Sequence, residues 1–265
     1  MWSNLARLAR HRGLIQSLVA RELTARYRGS VLGFFWSFVN PILLLLIYGF
    51  VFGVLLPTRS VEPYALFLFC GILPWTWFST SLLESSSSLI AGGNLIKKVL
   101  FPAEVLPIVS VLANMVHFFF GFTVLVAFLV GFRHVPDWGD LPWVPVVVAI
   151  QLIFTLGLAF ILSALTVHFR DVRDLLANLL TLWFWATPIV YPWTYEPLAA
   201  QPLFQWLVRL NPFAQLAIAY QDLLFFRGSF SHLPWLVLTG GVSLVVLLGG
   251  YWLFDRLRDS FEEAV

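Results

Sequence analysis

Six stretches of this chain are each long and apolar enough to cross a lipid bilayer, which limits what it can fold into. A helix needs about 20 mostly apolar residues to traverse the hydrocarbon layer. Residues 33–56, 64–83, 105–132, 142–167, 175–192 and 234–254 meet that need. Backbone polar groups in lipid must be satisfied within the protein, which favours helices. The prediction is an all-α integral membrane protein with one transmembrane domain over residues 1–265. The third run is longer than required, so it tilts or begins outside the membrane. The fifth ends in TPIVYPW, where Pro188 and Pro192 interrupt regular helix.

Composition agrees. The chain is 60% hydrophobic and 11% charged, whereas soluble domains sit near half apolar and a quarter charged. One core cannot hide such an excess. A net charge of +2 gives no reason to expect a nucleic-acid partner. The single cysteine, Cys70, lies in an apolar run and reads as a small buried side chain. Arg7, Arg10, His11 and Arg12 are not followed by an uninterrupted apolar core, because Arg21, Glu22, Arg26 and Arg28 intervene. No cleavable signal peptide is expected, and the first long run serves as an anchor.

Lys and Arg set the orientation. An even number of spans places both termini on one side. That side holds Arg7, Arg10, Arg12, Arg21, Arg26, Arg28, Lys97, Lys98, Arg170, Arg173, Arg256 and Arg258, twelve in all. The other side holds four, Arg59, Arg133, Arg209 and Arg227. Both termini are therefore expected in the cytoplasm.

Two segments outside the spans carry pattern. Within residues 1–28, Leu5, Leu8, Ile15, Leu18, Val19 and Leu23 recur at roughly helical spacing among basic residues. This predicts an amphipathic helix in the cytoplasmic interface, with Gly13 as a possible divide. The region 193–233 is too apolar for a solvated loop. Leu203, Phe204, Trp206, Leu207 and Leu210 precede NPF, and a second apolar set runs from Leu216 to Leu224. Short helices dipping into the outer interface, or a re-entrant hairpin, fit these lengths.

Ionisable residues inside spans mark ion or proton pathways, and here they are scarce. Glu84 and Glu104 lie at span ends, and His117 sits inside the third run. A proton relay is one role for His117; a hydrogen bond to a neighbouring helix, or a place facing a wet cavity, is the plainer one. The phosphate-cradling pattern G-x-x-x-x-G-K-[ST] is absent. If ATP drives this protein, a partner hydrolyses it.

Two cytoplasmic loops suit such a partner. In NLIKKVLFPAEVLP, Asn94 is placed to cap a short helix. Leu95, Ile96 and Phe101 surround Lys97 and Lys98, and Pro102 ends the helix. Either it docks in a partner's groove, or its lysines snorkel from an ordinary connector. In HFRDVRDL, Asp171 and Asp174 share a helical face between Arg170 and Arg173. Capping and salt bridging, partner docking, or a Mg²⁺-diphosphate site are the readings; no second acidic cluster supports the last.

Aromatics form 17% of the chain, with 12 tryptophans. Trp36, Tyr48, Trp75, Trp77, Trp183, Trp185, Tyr191, Trp193 and Tyr195 are candidates for a path on which sugar rings stack. The alternative is an aromatic belt at the headgroups.

The block ELTARYRGSVLGFFWSFVNPILLLLIYGFVFG at 22–53 resembles the opening of a known family: membrane subunits of type-2 ABC transporters that export O-antigen, capsule and teichoic acid. FLFCGILPWTWFSTSL at 67–82, the 94–107 block, HFRDVRDL and NPF are similar to elements of the same family. The resemblance implies a homodimer with the path between its copies, and two ATPase subunits on the cytoplasmic face. It implies an interface helix at the start, a coupling helix at 94–102 and periplasmic gate helices at 193–225. The substrate would be a glycan on undecaprenyl diphosphate. ATP and Mg²⁺ would sit on the partner, with no cofactor in this chain, which is no enzyme. The alternatives are a permease for a drug or small lipid, or a Mg²⁺-dependent membrane prenyl or glycosyl transferase.

Overall fold

The computed structural model describes residues 11–55, 61–98, 101–134, 136, 139–226, 230 and 232–261. Residues 1–10, Arg59, Val99, Leu100 and Arg227 lie outside the described residues, as do the side chains of Ile96 and Lys98. Leu5, Leu8, Arg7 and Arg10 are therefore not placed.

All the regular secondary structure among the described residues is helical. Helix α1 runs Arg12–Arg26. A 3₁₀ turn at Gly33–Phe35 leads into α2, Trp36–Phe50, which a π-helical turn extends through Val51–Leu55. Helix α3 is Tyr64–Ala91, and a short α4 spans Gly93–Lys98. Then come α5 (Val105–Gly131), α6 (Trp143–His168) and α7 (Val172–Trp185). Three shorter helices follow: α8 (Glu196–Ala199), α9 (Pro202–Leu210) and α10 (Pro212–Leu224). The last, α11, is Leu233–Leu257, closed by a 3₁₀ turn at Arg258–Ser260.

Five helical segments among the described residues are long and apolar enough to span: Gly33–Leu55, Tyr64–Ala91, Val105–Gly131, Trp143–His168 and Leu233–Ser260. The expected span 175–192 differs. Helix α7 has 14 residues, about 21 Å at 1.5 Å per residue, against a hydrocarbon layer of about 30 Å. Pro188 has no N–H and disfavours helix at Thr187. An irregular stretch carries the chain onward. The Tyr64 hydroxyl, at the start of α3, donates to the Val190 carbonyl, and Gln221 Nε2 donates to Pro188 O at 3.0 Å. Helix plus irregular stretch thus reach the start of α3.

The region 193–225 folds as a hairpin. Helix α9 descends and α10 returns, with Asn211 at the tip. Phe213 meets Trp75 and Phe78 well inside α3, while Phe225 meets Phe67 nearer its start. Helix α10 is almost wholly buried, from Phe213 to Leu224. It approaches α3 at Gly71, where an added Cβ would lie 3.1 Å from both Gln221 Nε2 and Ile189 Cγ2. In lipid, van der Waals packing of this kind, more than the hydrophobic effect, holds helices together. Cys70 is fully buried beside it.

Helix α1 has no fully buried residue, but Leu14, Ile15, Leu18, Val19 and Leu23 form a half-buried stripe. Gly13 lies inside this helix and does not divide it. At the same end, Leu89, Ala103, Phe160, Val167, Phe254 and Phe261 form a small core of their own. This end carries Lys97, Arg170, Arg173, Arg256 and Arg258, and is called the basic end below.

Candidate functional site

Helix α3 is buried on nearly every side but one. Thr76, Ser79, Thr80, Leu83, Glu84, Ser87, Ser88, Ile90 and Ala91 are its less-buried residues below Trp75, and they recur at helical spacing. Helix α7 packs inward through Leu176 and Leu180. On its opposite side Asp174, Asn178, Thr181 and Trp185 make an exposed line along the helix. Asp174 and Asn178 are costly to leave in lipid, though Leu175, Leu179 and Leu182 are exposed beside them and make this side of α7 mixed polar and apolar. The hydroxyls donate back to their own helices, Thr76 to Ile72 O at 2.9 Å and Thr181 to Ala177 O at 3.0 Å. Their oxygen lone pairs remain outward as acceptors.

Between the α1–α2 elbow and helices α3 and α5 lies a cavity of about 520 Å³. Trp36, Asn40, Thr76 and Thr80 line its polar side, and Leu44, Phe69 and Leu73 its apolar side. Two polar networks close it. The Tyr27 hydroxyl, Ser37 Oγ and His117 Nδ1 form a triangle at 2.8, 3.2 and 3.3 Å. His117 thus bonds to neighbouring helices, as the plainer expectation had it. Below, Arg26 Nη2 donates to both Glu84 oxygens at 2.9 and 3.0 Å, and Arg26 Nη1 to Asn114 Oδ1 at 3.0 Å. Asn114 Nδ2 donates to Glu84 at 2.6 Å. From the sequence, Arg26 was used only for its charge and Asn114 was not named; the signal of Asn114 was an amide inside an otherwise apolar run.

The candidate aromatics divide. Trp75 and Trp77 are buried at 8% and 2% exposure. Trp77 Nε1 donates to Val111 O at 3.2 Å and its ring packs on Phe118. Trp183 packs on Trp75, Phe78 and Phe154, and donates to Asn211 Oδ1 at 2.7 Å. These three serve the interior of one chain. Trp185 is exposed at 60%, and Trp193 and Tyr195 are also exposed. Trp36 is half-buried at the large cavity, donating to Ser30 Oγ at 3.1 Å. Tyr48 is half-buried against the core edge. Tyr191 donates to Trp185 O at 2.7 Å and packs on Phe204.

At the basic end, Asn94 is the second residue of α4, not its cap, because Gly93 already begins the helix. Asn94 and Lys97 are exposed, Leu95 and Phe101 half-buried, and Pro102 lies between α4 and α5. Arg170, Asp171, Arg173 and Asp174 are all exposed. Asp171 occupies the cap position of α7, yet its side chain makes no cap bond. No salt bridge among the described residues includes either aspartate. The expected capping and ion pairing is therefore not seen. Among the described residues no three or more His, Cys, Asp or Glu gather as metal ligands.

Residues 13–225 match the model of a family described as ABC-2 type transporter. The chain is 40% identical over 259 residues to the O-antigen export system permease protein RfbA of Myxococcus xanthus, covering 97% of each. It is 32% identical over 252 residues to a protein of the same description from Klebsiella pneumoniae, covering 94% of each.

Proposed function

Since the chain belongs to the ABC-2 type transporter family, we propose that it is the permease subunit of an ATP-driven exporter of O-antigen. The curated relatives it matches along nearly their whole length bear that description. ATP hydrolysis belongs to a separate ATPase subunit, which holds ATP and Mg²⁺. Two permease copies face one another across the exposed side of α7, and a glycan carried on undecaprenyl diphosphate passes between them. Two ATPase copies dock at the basic end, on α4 and the loop around Arg170–Asp174. That end lies in the cytoplasm of a bacterial inner membrane, by its excess of Lys and Arg.

One observation carries the glycan reading. Along its second half α7 turns Asn178, Thr181 and Trp185 away from its own core, beside the exposed Leu179 and Leu182. Outward acceptor oxygens suit the donor hydroxyls of a sugar, and the exposed Trp185 indole offers a face for the C–H side of its ring. The test separates this face from the interior. Trp185→Ala and Asn178→Leu should lower surface O-antigen while the complex with its ATPase still assembles. Normal surface polymer in both variants, made at normal protein levels, would refute the path. Loss of resistance to a small drug with unaltered surface glycan would favour a different cargo.

A further inference from the structure

We infer that Arg26 and Arg258 are positioning residues for α4, each pinning a glutamate on one of the two arms from which α4 hangs. The inference rests on the reading of α4 as the helix that takes the motor's push.

Helix α4 is held between the end of α3 and the start of α5. Glu84 lies on the last turns of α3, and Glu104 immediately precedes α5. Each acid is met by an arginine from a distant part of the chain. Arg26 is the last residue of α1, and Arg258 begins the turn after α11. Arg26 does more than pair. Its fork takes Glu84 on α3 through one nitrogen and Asn114 on α5 through the other, while Asn114 itself donates to Glu84. One guanidinium therefore staples both arms together and ties α1 to them. Only a planar, bidentate group does this, and a lysine would not.

Arg258 pairs with Glu104 on the far arm. The Glu104 side chain is only 3% exposed, and Arg258 also approaches Asp255 at 3.8 Å. Removing Arg258 would leave that buried carboxyl without its partner. Between α1 and α4 there is a cavity of about 300 Å³, lined by Leu18 and Arg21 on one side and Leu95 on the other. Across that gap, displacement of α4 reaches α1 through the arms and the ion pair. From α1 it passes to the elbow and to Trp36 and Asn40, which line the large cavity. Interactions of charged groups in a partly dry setting are strong enough to carry such coupling.

The experiment uses the full permease with its ATPase in proteoliposomes, reading glycan exported and ATP hydrolysed in the same sample. Arg26→Ala should lower export per ATP by about tenfold, with hydrolysis near normal, as expected of a lost coupling free energy. Arg26→Lys should fall between. The swap Arg26→Glu with Glu84→Arg should recover much of the ratio, because the Asn114 amide can turn to serve either arrangement. At the second site, Arg258→Ala should be worse than Arg258→Ala with Glu104→Gln, since the latter leaves no buried charge unpaired. An unchanged ratio in Arg26→Ala overturns the inference. So does a parallel fall of export, hydrolysis and assembly that the swap fails to rescue, which is the signature of a merely structural contact. A separate arm tests the underlying reading. Cysteine placed by Asn94→Cys should cross-link to the ATPase, with native Cys70 protected by burial. Absence of that cross-link would remove α4 from the motor interface and the inference with it. A cross-link with an unchanged ratio would refute the positioning role alone.

Discussion

The indole nitrogen of Trp183 donates to the side-chain oxygen of Asn211 at 2.7 Å, fixing the tip of the α9–α10 hairpin to the end of α7. The same oxygen accepts from the backbone of Phe213 and Ala214, capping α10, and the Asn211 amide donates to Thr187 Oγ at 3.0 Å. Pro212 follows as the first helical residue, where its missing N–H costs nothing. Replacement by Leu would leave the indole N–H and the capping position unserved, while the Thr187 hydroxyl keeps its bond to Trp183 O at 2.8 Å. Asn211→Leu should lower stability by about 2–3 kcal/mol. Asn211→Ser, which keeps a cap, should lower it less. Thermal midpoints in detergent measure both, and equal values for the two would disprove the capping account.

Glycine decides how α6 and α11 meet. A Cβ on Gly157 would lie 2.6 Å from Leu247 N, and one on Gly250 would collide with the Gly157 carbonyl oxygen. Nothing lies within 4 Å of a Cβ added at Gly249. Gly157→Ala and Gly250→Ala should each cost about 1–3 kcal/mol by overpacking, while Gly249→Ala should be close to neutral. If Gly249→Ala proved as harmful as Gly250→Ala, close approach to α6 would not be the cause, since helix propensity favours Ala at both positions.

His232 stands just before α11, outside the spanning segment. Burial lowers its pKa from 6.5 to about 4, holding the imidazole neutral. In the unfolded chain it takes a proton first. Its contribution is thus fully present above about pH 6.5 and is lost as pH falls toward about 4. Over that window the thermal midpoint of the native protein should drop more steeply than that of His232→Gln. Parallel curves would show that the site does not govern acid sensitivity.

Much of the bundle was legible in the sequence because lipid leaves few choices. The half-buried residues Ile15, Leu18, Val19 and Leu23 of α1 are those whose spacing predicted an amphipathic helix. The hairpin was legible as two apolar runs, each too short to span. Its depth was not, since that depends on Asn211 finding Trp183 and Thr187. The early stop of α7 was announced by Pro188. The aromatics were illegible for another reason. A tryptophan suits a belt, a core and a sugar path alike, and only packing separates Trp77 from Trp185. The Arg26–Glu84 pair joins residues 58 positions apart, beyond the reach of any local pattern. Asn178 and Thr181 could be placed opposite Leu176 on a wheel. Which side of that wheel met the protein was decided by α3.

Helix α2 buries only Ser37 and Leu45, whereas α3 buries most of its length. The two therefore make opposite demands while the chain is being made. Helix α2 is comfortable in lipid as soon as it emerges. Helix α3 carries Pro74, a run of serines and Glu84, and its companions on α5, α6 and α10 do not yet exist. The Pro74 carbonyl waits for Gln151 on α6, which donates to it at 2.9 Å. Gly71 waits for α10, later still. Second of the spanning segments to be synthesised, α3 is among the last to find its surroundings complete.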